Sequence, residues 1–374
     1  VPAPVSLLGT PGAPPTGRED LVRVVADMEQ KLAKQPADGA AATRLADALL
    51  RQARVNGNAG LAARAEAALT RVLANDPDNY DSRRMLAAVY LSEHRFRDAL
   101  EAAGLCRERR PNDAWLYGAI GDAHLELGEY PEAFTAFDRM AALRPNAASY
   151  ARASYARELQ GDLDGALRYM TMATEATGAQ DPESGAWHHA QLGHLYLEQG
   201  RVADAEREYA HADFIFPDHP FAQDGLARVR QARGDDRGAL DLVKRRLAAA
   251  PTPADLAFAG ELSESLGDRD DAERYYRLAE AAWISDVPDP ARLVRFLAEH
   301  GRRLGDVVRL AEAAAADRHD IFTDDALAWA YYRTGDTTKA AVAIKNALRT
   351  GSRDKGIRAH AAAIEQAVSQ GIHP

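Results

Sequence analysis

Three prolines set the phase of this chain, because Pro77, Pro111 and Pro145 stand 34 residues apart. Proline lacks the N–H that a helix interior uses, so each one closes a helix and opens the next turn. Ala99 and Ala133 keep the same 34-residue interval, as do Gly200 and Gly234, Ala205 and Ala239, Pro217 and Pro251, and Gly301 and Gly335. A period of this length marks an array of supersecondary units. No single unit buries its own apolar face, so stacking supplies the core.

The clearest unit runs from Ala114 to Pro145 and reads as two amphipathic helices joined by a tight turn. Ile120, Gly121 and His124 stand at the spacing of an L-G-x-x-Y core, Gly128 marks the turn, and Ala133 and Phe137 follow at A-x-x-x-F spacing. Tyr117 and His124 occupy positions where the pattern usually has tryptophan and tyrosine. On these residues the chain resembles the tetratricopeptide repeat family, in the manner of a bacterial multi-repeat protein. The resemblance implies an all-α fold, an α-solenoid of stacked helix-turn-helix repeats forming a right-handed superhelix. Its inner wall would be made mainly by the first helix of each pair, and nothing in it implies catalysis.

The expected organisation follows from this ruler. Residues 1–17, rich in proline, glycine and small side chains, read as a flexible lead-in. A helix occupies 18–39, the array of about nine helix pairs covers 40–350, and 351–374 forms a capping helix and tail. The chain starts at Val1 with no initiator methionine. Two origins stay open, a removed signal sequence or a trimmed chain; the first is favoured and would make the protein exported or periplasmic.

Composition narrows the function classes. A formal charge of −10 disfavours a nucleic-acid backbone as partner, since that binding draws on clustered lysine and arginine. The basic run from Arg228 to Arg246 spreads around a helix pair instead of forming one patch. The single cysteine, Cys106, excludes an internal disulfide and falls at a small core position. His188, His189 and His194 lack the i, i+4 spacing of a zinc helix, and no phosphate-binding loop or nucleophile motif occurs. The expectation is therefore no enzyme, no cofactor and no metal. No apolar run is long enough to span a bilayer.

What remains is the face of the first helices. Positions 2, 5, 9 and 12 of such a helix form one stripe, which in the family faces the groove. Here that stripe supplies Trp115 and Asp122, Tyr155, Trp187 and His194, then Phe221, Asp224 and Arg228. Further units add Glu261, Phe322, Asp325, Trp329 and Tyr332. Aromatic rings give large contact area at low entropic cost, and the competing reading is that they wedge between neighbouring helices as core. The carboxylates would bias the groove towards a partner of basic character. Tetratricopeptide domains that clamp a C-terminal carboxylate use Lys, Asn and Arg at the fifth and ninth positions. Those positions here hold Arg84 and Ala88, Gly118 and Asp122, and Ala190 and His194, so that clamp is not expected.

The leading expectation is thus a noncatalytic scaffold binding a protein or extended peptide in the concave groove. The alternative is an accessory subunit of an envelope or secretion assembly, acting through its convex face or N-terminal tether. A nucleic-acid-binding helical repeat ranks below both.

Overall fold

The computed structural model describes residues 17–58, 60–285 and 289–371; residues 1–16, the bulk of the expected lead-in, lie outside that range. Every regular element among the described residues is a helix. After α1 (Arg18–Lys34) come nine pairs: α2 (Gly39–Asn56) with α3 (Gly60–Asn75), α4 (Tyr80–Ser92) with α5 (Phe96–Arg109), and α6 (Ala114–Glu126) with α7 (Tyr130–Leu143). The middle pairs are α8 (Ala147–Leu159) with α9 (Leu163–Ala176), α10 (Pro182–Glu198) with α11 (Val202–Ile215), and α12 (Pro220–Ala232) with α13 (Asp236–Ala249). The last are α14 (Pro253–Ser265) with α15 (Arg269–Ser285), α16 (Pro290–Glu299) with α17 (Leu304–Asp317), and α18 (Ile321–Arg333) with α19 (Thr337–Ala347), followed by α20 (Lys355–Gln370). The fold is an all-α helical repeat solenoid.

Local chemistry sets the boundaries. Asn79 caps α4 by accepting from Ser82 N, and Asp320 caps α18 by accepting from Phe322 N and Thr323 N, which satisfies donors that a helix start leaves without partners. The turn glycines found from the period, Gly128, Gly161, Gly200, Gly234, Gly267, Gly301 and Gly335, all hold left-handed backbone, with φ from +64° to +87°. In the turn between α4 and α5 that conformation falls on His94, at φ +59°.

The chain divides into two compact units. The first is the chain up to His124 with Pro131–Tyr155 and Ala166–Gly234. Its core is built by second-helix rings seated on first-helix glycines. A Cβ on Gly121 would lie 2.4 Å from the Phe137 ring. The Tyr209 ring fills the space beside both Gly193 and Gly225, where added Cβ atoms would stand 2.9 and 2.1 Å from it. Cys106 is buried, and burial pushes its thiol up to about 11, so it packs as a small apolar residue.

A buried ion network also ties this first unit together. Arg51 of α2 reaches Asp181 at 2.9 Å and Glu183 at 3.2 Å, and Arg54 adds a 2.9 Å contact to Glu183. Burial alone would raise the Glu183 carboxyl, but Arg54 and Arg51 hold it down to about 2. His188 stands beside them with Nδ1 2.8 Å from Thr177 Oγ1, and burial pushes it down to about 4, so it is neutral at pH 7.

The second unit is the chain from Asp235 onward with the turn segments Leu125–Tyr130 and Ala156–Gly165. Within it, His319 N donates to Leu127 O at 3.3 Å and Ile321 N donates to Tyr130 Oη at 2.9 Å. A Cβ on Gly128 would meet His319 O at 2.2 Å, and one on Gly161 would meet Gly351 O at 2.4 Å. These glycines are required by close approach as well as by their backbone angles. α20 packs on α18 and α19 and buries Ile357 and Ile364.

Candidate functional site

The stripe of first-helix residues does not form a uniform binding face, and three of its members are corrected by their surroundings. Trp187 is 3% exposed and packs with Met170, Leu192 and Leu195 in the interior of the first unit. Asp122 is buried in a two-pronged pair with Arg152, at 2.9 Å from Nε and 2.6 Å from Nη2. Gly118 leaves the room for that arginine, since a Cβ there would lie 3.1 Å from Arg152 Nε. Asp325 is fully buried and accepts from His360 Nδ1 at 2.9 Å. These three side chains hold helices together and offer no surface to a partner.

The charge expected of the stripe is neutralised in part. Asp224 pairs with Arg228 at 2.8 Å, Glu264 accepts from Tyr276 Oη at 2.8 Å, and exposed Glu261 stands 3.8 Å from His300 Nε2. Arg228 offsets the charge of Asp224, whereas Glu264 is held by a neutral hydroxyl and burial pushes His300 below the usual histidine range, so Glu261 and Glu264 keep their negative charge.

Other members keep part of their surface. Tyr155, His194 and Phe221 in the first unit are half-buried, with Phe221 resting on the cluster that contains Trp187. Phe322, Trp329 and Tyr332 are half-buried in the second unit. There the Trp329 ring is stacked between His360 at 4.0 Å and Tyr332 at 4.7 Å, which fixes its orientation.

A cleft with room for a ligand lies in the first unit, at the start of α6 and α8. Trp115, Met140 and Leu143 form its apolar wall, and Arg84, Asn112 and Arg144 its polar rim, around a cleft of about 180 Å³. Trp115 is only 8% exposed, and its visible face is covered in part by the Arg84 guanidinium, 4.3 Å from the ring centre. Arg84 is held there by Asp113 at 2.9 Å. Asp113 also accepts from Tyr80 Oη at 2.8 Å and from Trp115 N at 3.0 Å, so one ion pair and two hydrogen bonds fix the side of the cleft. Asn146 caps α8 by accepting from Ser149 N at 3.0 Å.

Trp115 and Arg84 stand at first-helix stripe positions, whereas Met140 and Leu143 come from the second helix α7 and Asn112, Asp113, Arg144 and Asn146 from inter-repeat loops, which carry no first-helix spacing. A signal was present: Arg110-Pro111-Asn112 recurs as Arg144-Pro145-Asn146, one period later. Among the described residues, no three His, Cys, Asp or Glu side chains are arranged to hold a metal.

Residues 47–79 match the Tetratricopeptide repeat family, TPR_6. That segment of the chain carries a tetratricopeptide repeat. Among solved structures the helical array is similar in fold to the APC/C hetero-tetramer Cut9-Hcn1, with a TM-score of 0.56 at 15% identity over 92% of this chain. The match spans 59% of that chain, less than two thirds of its length. It is also similar to the human IFIT1 dimer with PPP-AAAA, with a TM-score of 0.58 at 17% identity over 88% of this chain and 78% of that one. The human IFIT1 dimer with m7Gppp-AAAA gives a TM-score of 0.58 at 16% identity, over 88% and 76% of the two chains. These likenesses are of fold. No curated protein matches the chain in sequence. No helix among the described residues is long and apolar enough to cross a membrane.

Proposed function

We propose that this tetratricopeptide protein is a noncatalytic scaffold that binds an extended segment of a partner protein along its first-helix faces, with the cleft beside Trp115 as the anchor. The observation that carries the reading is the cleft itself: a recess of about 180 Å³ lined by five apolar and five polar residues, with the Trp115 ring among them. A cavity of about 150 Å³ holds a benzene molecule, so the recess suits one large side chain. That is the usual form of a hot spot, an anchor residue desolvated in a pocket. Half-buried Tyr155 and Phe221 belong to the same unit and are further candidate contacts. The structures of IFIT1 with capped and triphosphate oligonucleotides make RNA the competing ligand, yet the recess has room for one large side chain and its wall is aliphatic as well as aromatic.

Selection of a random peptide library on the intact chain tests this reading, with a labelled oligoadenylate titrated in parallel. Peptides should be enriched and should bind Trp115→Ala roughly tenfold or more weakly at unchanged helical content, since truncating a hot-spot aromatic costs about 2 kcal/mol. Failure to enrich any peptide, or oligoadenylate binding that alone responds to Trp115→Ala, refutes it.

A further inference from the structure

The rim of the cleft has a sign. Asp113 is its carboxylate, and its charge is spent on Arg84, Tyr80 Oη and the Trp115 amide. Arg144, in contrast, is exposed, and among the described residues its guanidinium has neither a hydrogen bond nor an ion pair. The two asparagines are oriented in the same sense. Asn112 Oδ1 accepts from Arg139 at 3.3 Å and Asn146 Oδ1 accepts from Ser149 N, so each has its amide N–H groups left to offer. An apolar wall is therefore bordered by donors and by one uncompensated positive charge.

We infer that the cleft accepts an aromatic or large aliphatic side chain of a partner segment with an aspartate or glutamate close beside it, the carboxylate meeting Arg144. The inference rests on the peptide-binding reading above and adds the chemistry of the peptide. It reverses the expectation of a basic partner. A lysine or arginine next to the anchor would be repelled by Arg144 and would have to compete with Arg84 for Asp113. An arginine guanidinium matches a carboxylate with two parallel hydrogen bonds, which makes the acidic neighbour a source of register as well as affinity.

The test uses the intact chain and an Arg144→Glu variant, selected separately against the same random peptide library. Arg144 makes no side-chain contact that folding relies on, so the variant keeps its helices. Wild-type selection should enrich peptides with a large apolar residue flanked by Asp or Glu. Those peptides should bind Arg144→Glu roughly tenfold or more weakly, the scale of a lost charge-assisted hydrogen bond. Selection on Arg144→Glu should instead enrich Lys or Arg at the flanking position. Wild-type peptides that depend on Trp115 but carry basic or neutral flanks, or that bind Arg144→Glu unchanged, overturn the acidic assignment and leave peptide binding standing. Enriched peptides indifferent to both Trp115→Ala and Arg144→Glu overturn both.

Discussion

Replacing Gly128 by alanine separates two demands that fall on a turn glycine. Gly128 and Gly200 both hold left-handed backbone, at φ +81° and +73°, and a side chain in that conformation costs about 1–2 kcal/mol at either site. Their surroundings differ. A Cβ at Gly200 meets nothing within 4 Å, whereas at Gly128 it would stand 2.2 Å from the His319 carbonyl oxygen and 2.4 Å from its carbon. Ordinary contact begins at 3.4 Å, so the backbone at His319 must retreat by more than an ångström. Two hydrogen bonds span that approach, His319 N to Leu127 O and Ile321 N to Tyr130 Oη. At about 1 kcal/mol each, their loss brings Gly128→Ala to about 3–4 kcal/mol, against about 1–2 kcal/mol for Gly200→Ala. Urea titration followed by circular dichroism measures the difference. Repeat arrays do not always unfold in one step, so amide exchange at Ile321 supplies a local readout that should accelerate in Gly128→Ala alone. Equal stability losses with unchanged Ile321 exchange would refute the idea that backbone contact reserves this position for glycine.

Two further outcomes follow from strain and from charge. His94 occupies the left-handed turn position where later repeats have glycine, so His94→Gly should stabilise the chain by roughly 0.5–1 kcal/mol after the entropy cost of glycine, read as a higher urea midpoint. His188 is pushed from 6.5 to about 4 by burial, so between those values the unfolded chain binds a proton that the folded chain does not, and stability falls as pH drops. That slope amounts to about 3 kcal/mol, and His188→Gln should flatten it. The further loss below pH 4.5 should remain, because Glu183 is held down to about 2 in the folded state and protonates first in the unfolded one. Denaturation midpoints across the acid range measure both slopes.

The architecture was legible because it is periodic. The prolines and glycines of the 34-residue ruler land on helix ends and left-handed turns, and Ala133 with Phe137 lands on the core contact with Gly121. The site was legible only in part. Spacing places Trp115 and Trp187 at the same position of their repeats, yet one borders an open cleft and the other is enclosed by Met170, Leu192 and Leu195. What differs is the neighbouring side chain, and helical periodicity carries no information on that. The carboxylates failed for a related reason. Asp122 and Asp325 sit on the predicted stripe, but their partners Arg152 and His360 come from positions 30 and 35 residues away, so pairing could be read only in three dimensions. The ties from Arg51 to Asp181 and Glu183, 130 and 132 residues distant, have no periodic signature at all.

The ring of Tyr209, lodged against glycines of two successive first helices, bears on how such an array can be recombined. A repeat exchanged at its proline-marked turns would bring in Tyr209 and Gly193 together but leave Gly225 to the recipient. Any residue larger than glycine there would displace the incoming ring. A graft cut in the turn before α11 and after α12 would keep Tyr209 with Gly225, the tighter of its two seats. The portable module of this chain is therefore shifted by half a period from the one its sequence displays.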